Sequence, residues 1–133
     1  MEVRKELTDE WQRSGIEDTR DYATLTDIMT KEWSGKTTRE YKNFKGLSKE
    51  NLRDHMTNME LVLNMLAEVS ATEFSKETNP IGMYDSAQVA KEGGSVARDA
   101  KESYEKRSGK KIVSPLNAKN IKSLLDKKGG DNS

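Results

Sequence analysis

The strongest constraint on the fold lies in residues 33–66, WSGKTTREYKNFKGLSKENLRDHMTNMELVLNML, where three helix-start signals crowd around two glycine stops. Thr37, with Glu40 three residues on, has the pattern of a capping box, in which each residue satisfies the other's free backbone amide. Thr57 and Glu60 repeat it, with Met56 and Leu61 at the positions that clamp the entering chain onto the first turn. Between them Ser48 is a third candidate cap, flanked in the same way by Leu47 and Leu52. Gly35 and Gly46 are stops, because a helix commonly ends on a left-handed residue that glycine adopts without a Cβ penalty. Punctuation this dense predicts several helices joined by short turns.

The apolar periodicity fills in the elements. Val3, Leu7 and Trp11 make one stripe of a helix over residues 2–14, with Gly15 at its end. Tyr22, Leu25, Ile28, Met29 and Trp33 make the face of a second, over 18–33. A short helix runs from Thr37 through Phe44. Residues 47–55 read as another short helix, or as the start of one continuous helix with Thr57 inside it. The longest apolar pattern is 58–76. Met59, Val62, Leu63, Leu66 and Val69 form a stripe, with Leu61 and Met65 beside it, and near all-round apolarity marks a central, buried helix. Asn79-Pro80 ends it and a loop fills 80–84.

A further helix is predicted over 85–107. Its Ser86, Ala90, Gly93, Ala97, Ala100 and Tyr104 are spaced 4-3-4-3-4, a helix–helix seam of mostly small residues. Gly93-Gly94 in mid-helix costs about 1 kcal/mol per glycine relative to alanine, which points to a close backbone approach or a kink. The seam packs either on the central helix or on a second copy of the chain. Beyond Gly109, residues 110–114 are short and β-branched enough to be extended. Pro115 interrupts, and Asn117 caps a last helix over 118–127 carrying Ile121, Leu124 and Leu125. The fold class is therefore all-α, an irregular bundle of five to seven helices around the central helix near 58–76. The expected organisation is one domain over 1–128 and a disordered tail over 129–133.

Composition bears chiefly on function. Apolar residues are 32% of the 133 and charged residues 35%, so the core is thin and a partner surface is plausible. The absence of cysteine excludes disulfides, thiol nucleophiles and thiolate metal sites. No apolar run approaches the roughly 18 residues of a membrane span, and the acidic, amphipathic N-terminus is not a signal peptide, so the expected location is the cytoplasm. The 23 basic and 23 acidic groups cancel, but unevenly: residues 36–56 carry 6 basic and 3 acidic groups. Alternating blocks of charge suit self-association or a local phosphate-binding surface.

The chemical candidates are few. His55 is the only histidine, and neighbouring Asp54 points away from it on a helix, so neither a catalytic pair nor a metal site is expected. There is no phosphate loop and no dinucleotide fingerprint. The chain is read as non-catalytic, with no cofactor. The candidate contact residues are Arg39, Lys42, Lys45, Lys49, Arg53 and His55. With Lys36, and with Tyr41 and Phe44 interleaved, the cations form a basic segment that can neutralise phosphates while exposed aromatics stack on bases.

Five blocks in order carry a family resemblance: LTDEWQRSGI, DYATLTDIMTKEWSGKTTREYKNFKGL, NLRDHMTNMEL, VAKEGGSVARDA and SGKKIVSPLNA. Together they span most of the chain from Leu7 to Asn117. In these blocks the sequence resembles the C-terminal helical region of bacterial and prophage proteins of the DNA damage-inducible protein D type. The resemblance implies a role in the DNA-damage (SOS) response, and a protein partner such as a RecA-type recombinase–DNA filament, which the family namesake modulates. It also implies a BRO-type DNA-binding domain ahead of this region in many relatives, so the chain is expected to be one domain of such a protein or a shortened product. The leading expectation is a non-catalytic interaction module. The alternatives are a single-stranded nucleic-acid-binding domain using residues 36–53, and a homo-oligomeric scaffold built on the Ala90–Gly93–Ala97–Ala100–Tyr104 seam.

Overall fold

Both capping boxes close in the computed structural model, which describes residues 2–119. Glu40 and Thr37 exchange hydrogen bonds to open the helix Thr38–Phe44 (α3), and Glu60 and Thr57 do the same to open Asn58–Thr78 (α4). Before them come Val3–Arg13 (α1) and Thr19–Ser34 (α2), and after them Gly82–Ser108 (α5). Asp18 caps α2 by accepting the Arg20 N–H, and Gly35 ends it at φ +81°. Among the described residues there is no strand, and the architecture is an all-helical bundle. α5 packs along both α4 and α2, while α1 lies against α4.

The glycine pair explains how one helix fits against two others. A Cβ on Gly93 would stand 2.7 Å from the Ala67 carbonyl and the Ala71 side chain on α4. A Cβ on Gly94 would stand 2.6 Å from the Met29 carbonyl on α2. The residues are adjacent, so they point about 100° apart around the helix, one toward each neighbour. Gly93-Gly94 therefore produces close approach on two sides, and α5 runs unbroken through it.

That close approach decides which side of α4 faces inward. Its buried residues are Glu60, Leu63, Asn64, Ala67, Glu68, Ala71, Thr72 and Ser75. Only small side chains fit where α5 crosses at backbone distance, so Ala67 and Ala71 take that face. The bulky stripe turns away from that crossing: Met59 and Val62 are exposed and Leu61, Met65 and Val69 half-buried, while Leu66 is partly buried against the core. Of the stripe expected to form the core, only Leu63 is buried. The large apolar core comes instead from α1, α2 and α3, with Leu7, Trp11, Leu25, Met29, Trp33 and Tyr41 almost fully enclosed.

Three boundaries differ from expectation. α5 begins at Gly82, because the Asp85 carboxylate accepts the Ile81 N–H and so closes the first turn instead of starting it. Residues 47–55 form only a 3-10 turn, Arg53–His55. There Glu50 accepts the amides of Ser48 and Lys49, and the Asn51 side chain accepts that of Arg53, which replaces helical pairing. Leu47 and Leu52 are buried all the same. Residues 110–114 are not a strand; Ile112 is buried and its N–H donates to Glu105. The helix expected over 118–127 lies outside the described residues beyond 119, as does the tail over 129–133.

Candidate functional site

Two carboxylates enter the interior from α4, eight residues apart and therefore on one face. The first, Glu60, is fully buried and accepts four hydrogen bonds. Its Oε1 takes Lys45 Nζ at 2.7 Å and the Thr57 N–H at 2.9 Å. Its Oε2 takes the Tyr41 hydroxyl and the Ser114 N–H, the latter at 3.2 Å. Burial, reinforced by the Glu60 carboxylate, raises the Tyr41 phenol far above its ordinary pKa, so it stays a proton donor. One capping glutamate thus ties the end of α3, the start of α4 and residues 112–117 together.

Lys45 is the inward partner of that carboxylate, and this corrects its place among the surface contact residues. Its side chain is fully buried, with Nζ also donating to the Leu116 carbonyl. Tyr41 and Lys45 are four apart at the end of α3, so both reach the same side. The other candidates scatter. Arg39 and Lys49 are exposed and Lys42 is half-buried. His55 accepts the Ala118 N–H on Nδ1 at 3.0 Å, which makes it a turn-anchoring residue. Phe44 is 41% exposed and holds Lys36 Nζ over its ring at 4.5 Å. The basic segment is therefore not one continuous surface.

The second carboxylate, Glu68, is 1% exposed and meets arginines from two distant parts of the chain. Arg53 donates to Oε1, and Arg4 of α1 lies 3.5 Å from Oε2. Arg4 also donates to the Thr26 hydroxyl at 2.6 Å and rests 5.1 Å over the Trp11 ring. Burial lowers the Arg4 pKa; the Glu68 charge opposes this, and the Arg53 charge adds to it. Beside this triad opens a cleft of about 340 Å³, with Lys42, Asn64 and Thr30 on its walls. Asn64 and Thr30 are 9% and 3% exposed. Sequence reasoning missed Arg4 and Glu68. The available signal was Glu68's place eight residues beyond the capping Glu60; nothing local marks Arg4.

The small-residue seam is occupied from within the chain. Ala90, Gly93 and Ala97 are buried, Gly93 directly against Ala67 and Ala71. Ala100 is partly buried against the core, whereas Tyr104 at the far end is 42% exposed. No helix among the described residues is long and apolar enough to cross a membrane.

An all-helical bundle with a polar-faced central helix, an outward apolar stripe and an arginine-lined cleft defines the class, an irregular helical bundle. Its particular family follows from the sequence: the family model of the DinD C-terminal domain matches residues 1–124, and the chain belongs to that family. This places it in a DNA damage-inducible protein context. No curated protein and no solved structure matches the chain.

Proposed function

We propose that the chain is a non-catalytic interaction module of a DNA damage-inducible, prophage-type protein. It acts in the cytoplasm by docking on a protein partner, of which a RecA-type recombinase–DNA filament is the foremost. The observation that carries this reading is the outward apolar face of α4. Val62 is 58% exposed and Met59 37%, with Met65 and Val69 half-buried beside them. An apolar stripe on the outer side of a rigid 21-residue helix is suited to another protein surface, because burying it there removes it from water.

Direct binding of single-stranded nucleic acid is the second reading, favoured by Arg39, Lys42 and Lys49 remaining at or near the surface. The burial of Lys45 and the pairing of Arg53 with Glu68 reduce the charge left for it. A homo-oligomeric scaffold on the small-residue seam has less support, since Gly93 already contacts α4.

The test is fluorescence anisotropy with labelled single-stranded DNA, bare and coated with recombinase filament, at low and high salt. The proposal expects binding to the coated strand alone, persisting at high salt and lost in Val62→Glu. Binding to bare DNA that collapses with salt would replace it with the nucleic-acid reading.

A further inference from the structure

We propose that the cleft beside Glu68 is a phosphate-binding site, built by Arg4, Lys42 and Arg53. This goes beyond protein docking and does not depend on it, because the cleft and the outer face of α4 are separate surfaces.

The charge balance calls for an anion. Arg4, Lys42 and Arg53 line the cleft against one carboxylate, Glu68, which leaves a surplus of two positive charges. Arg39 and Asp27 flank the adjoining hollow and cancel each other. Lys42 has no ion pair among the described residues, so its ammonium is uncommitted. The guanidiniums are fixed in place yet not exhausted. Arg4 spends donors on Glu68 and Thr26, and Arg53 on Glu68, while each guanidinium carries five N–H groups.

The walls select phosphate over carboxylate. Asn64, a residue only 9% exposed, lines the cleft, and its side-chain amide has no hydrogen-bond partner among the described residues. Thr30 and Thr38 add hydroxyls to the same wall. A carboxylate brings one negative charge, which leaves half of this surplus unneutralised. A phosphate monoester has three terminal oxygens and carries up to the two negative charges that the surplus would neutralise. Pre-positioned arginines bind such a group at little ordering cost.

The charge favours a nucleotide or DNA-end monoester as the source, and a backbone phosphodiester, with one charge, is the other source the experiment distinguishes. The experiment is an amide NMR titration of the full chain with inorganic phosphate, then dAMP, then a short single strand with and without a 5′-phosphate. Saturable shifts at Arg53 and Asn64 are expected. Lys42→Ala should weaken binding about tenfold, the loss of one charge-assisted hydrogen bond. Lys49→Ala, an exposed cation outside the cleft, should leave binding within about twofold. A preference for the 5′-phosphorylated strand would identify the monoester as the source, and equal binding of both strands the backbone. Absence of saturable shifts would overturn the proposal. So would equal weakening by Lys49→Ala, which is diffuse attraction, or acetate binding as tightly as phosphate.

Discussion

Glu60 and Glu68 leave the same face of the same helix, and both are buried, yet they sit in opposite kinds of environment. Glu60 is enclosed and saturated, its four hydrogen bonds coming from a lysine with no exposure, a buried phenol and two backbone amides. Glu68 is bonded by arginines that are more than a third exposed and that open onto a cleft. A saturated carboxylate can only hold the fold. A carboxylate that anchors half-exposed guanidiniums can present them to a ligand. The difference comes from the partners: a lysine delivers its charge at one point, whereas an arginine can bind a carboxylate with one edge and face solvent with the other.

The largest expected effect lies at the closed end. Glu60→Gln leaves the Lys45 ammonium buried without its counter-charge and should cost about 3–5 kcal/mol in urea unfolding. A cost under about 1 kcal/mol would mean that the enclosed pair is no stronger than a surface one. Next comes the packing that turns α4 polar side inward. Gly93→Ala sets a methyl 2.7 Å from Ala67 and Ala71 and should lose about 1–3 kcal/mol despite the gain in helix propensity, read by thermal unfolding. Arg53→Ala at the open end should cost less than Glu60→Gln, about 1–2 kcal/mol, because Arg4 still faces Glu68 and the lost arginine was partly solvated. A loss equal to that at Glu60 would erase the comparison.

The smallest effect is at Glu50, where amides of Ser48 and Lys49 hold the carboxyl down to about 2. Its folded pKa lies below its unfolded value, so its contribution is present above about 4.5 and fades as pH falls toward about 2. Glu50→Gln should lower stability slightly at neutral pH and converge with the parent as pH falls toward about 2, so that the acid limb is flatter over that window.

Much of this fold was legible in the sequence because its signals are local. Thr37 and Thr57 each carry a glutamate three residues on, and both boxes form; Gly35 and Gly109 end helices in the left-handed region. Ser48 has the same surroundings without such a partner at the third position, and no helix starts there. What was not legible depends on which helix faces pack. Met59, Val62 and Val69 read as core by hydrophobicity alone, but the Gly93 crossing admits only small side chains, and they turn outward while Leu66 keeps partial contact with the core. Lys45 is indistinguishable from Lys42 in composition; only the position of Glu60 in space draws one inward. Arg4 reaches the cleft from the first helix, 64 residues before its carboxylate, and no local pattern announces such a contact.

These two lysines, three residues apart, provide the most direct test of the division between a closed end and an open one. The measurement is thermal unfolding of Lys42→Met and Lys45→Met, each with and without inorganic phosphate. Lys45→Met should melt roughly 10 °C or more below the parent, the consequence of stranding Glu60, and phosphate should still raise its melting temperature. Lys42→Met should melt within a few degrees of the parent, roughly the effect of an ordinary surface change, and phosphate should raise it far less. A Lys45→Met variant as stable as the parent, or a Lys42→Met variant protected by phosphate as fully as the parent, would contradict the account.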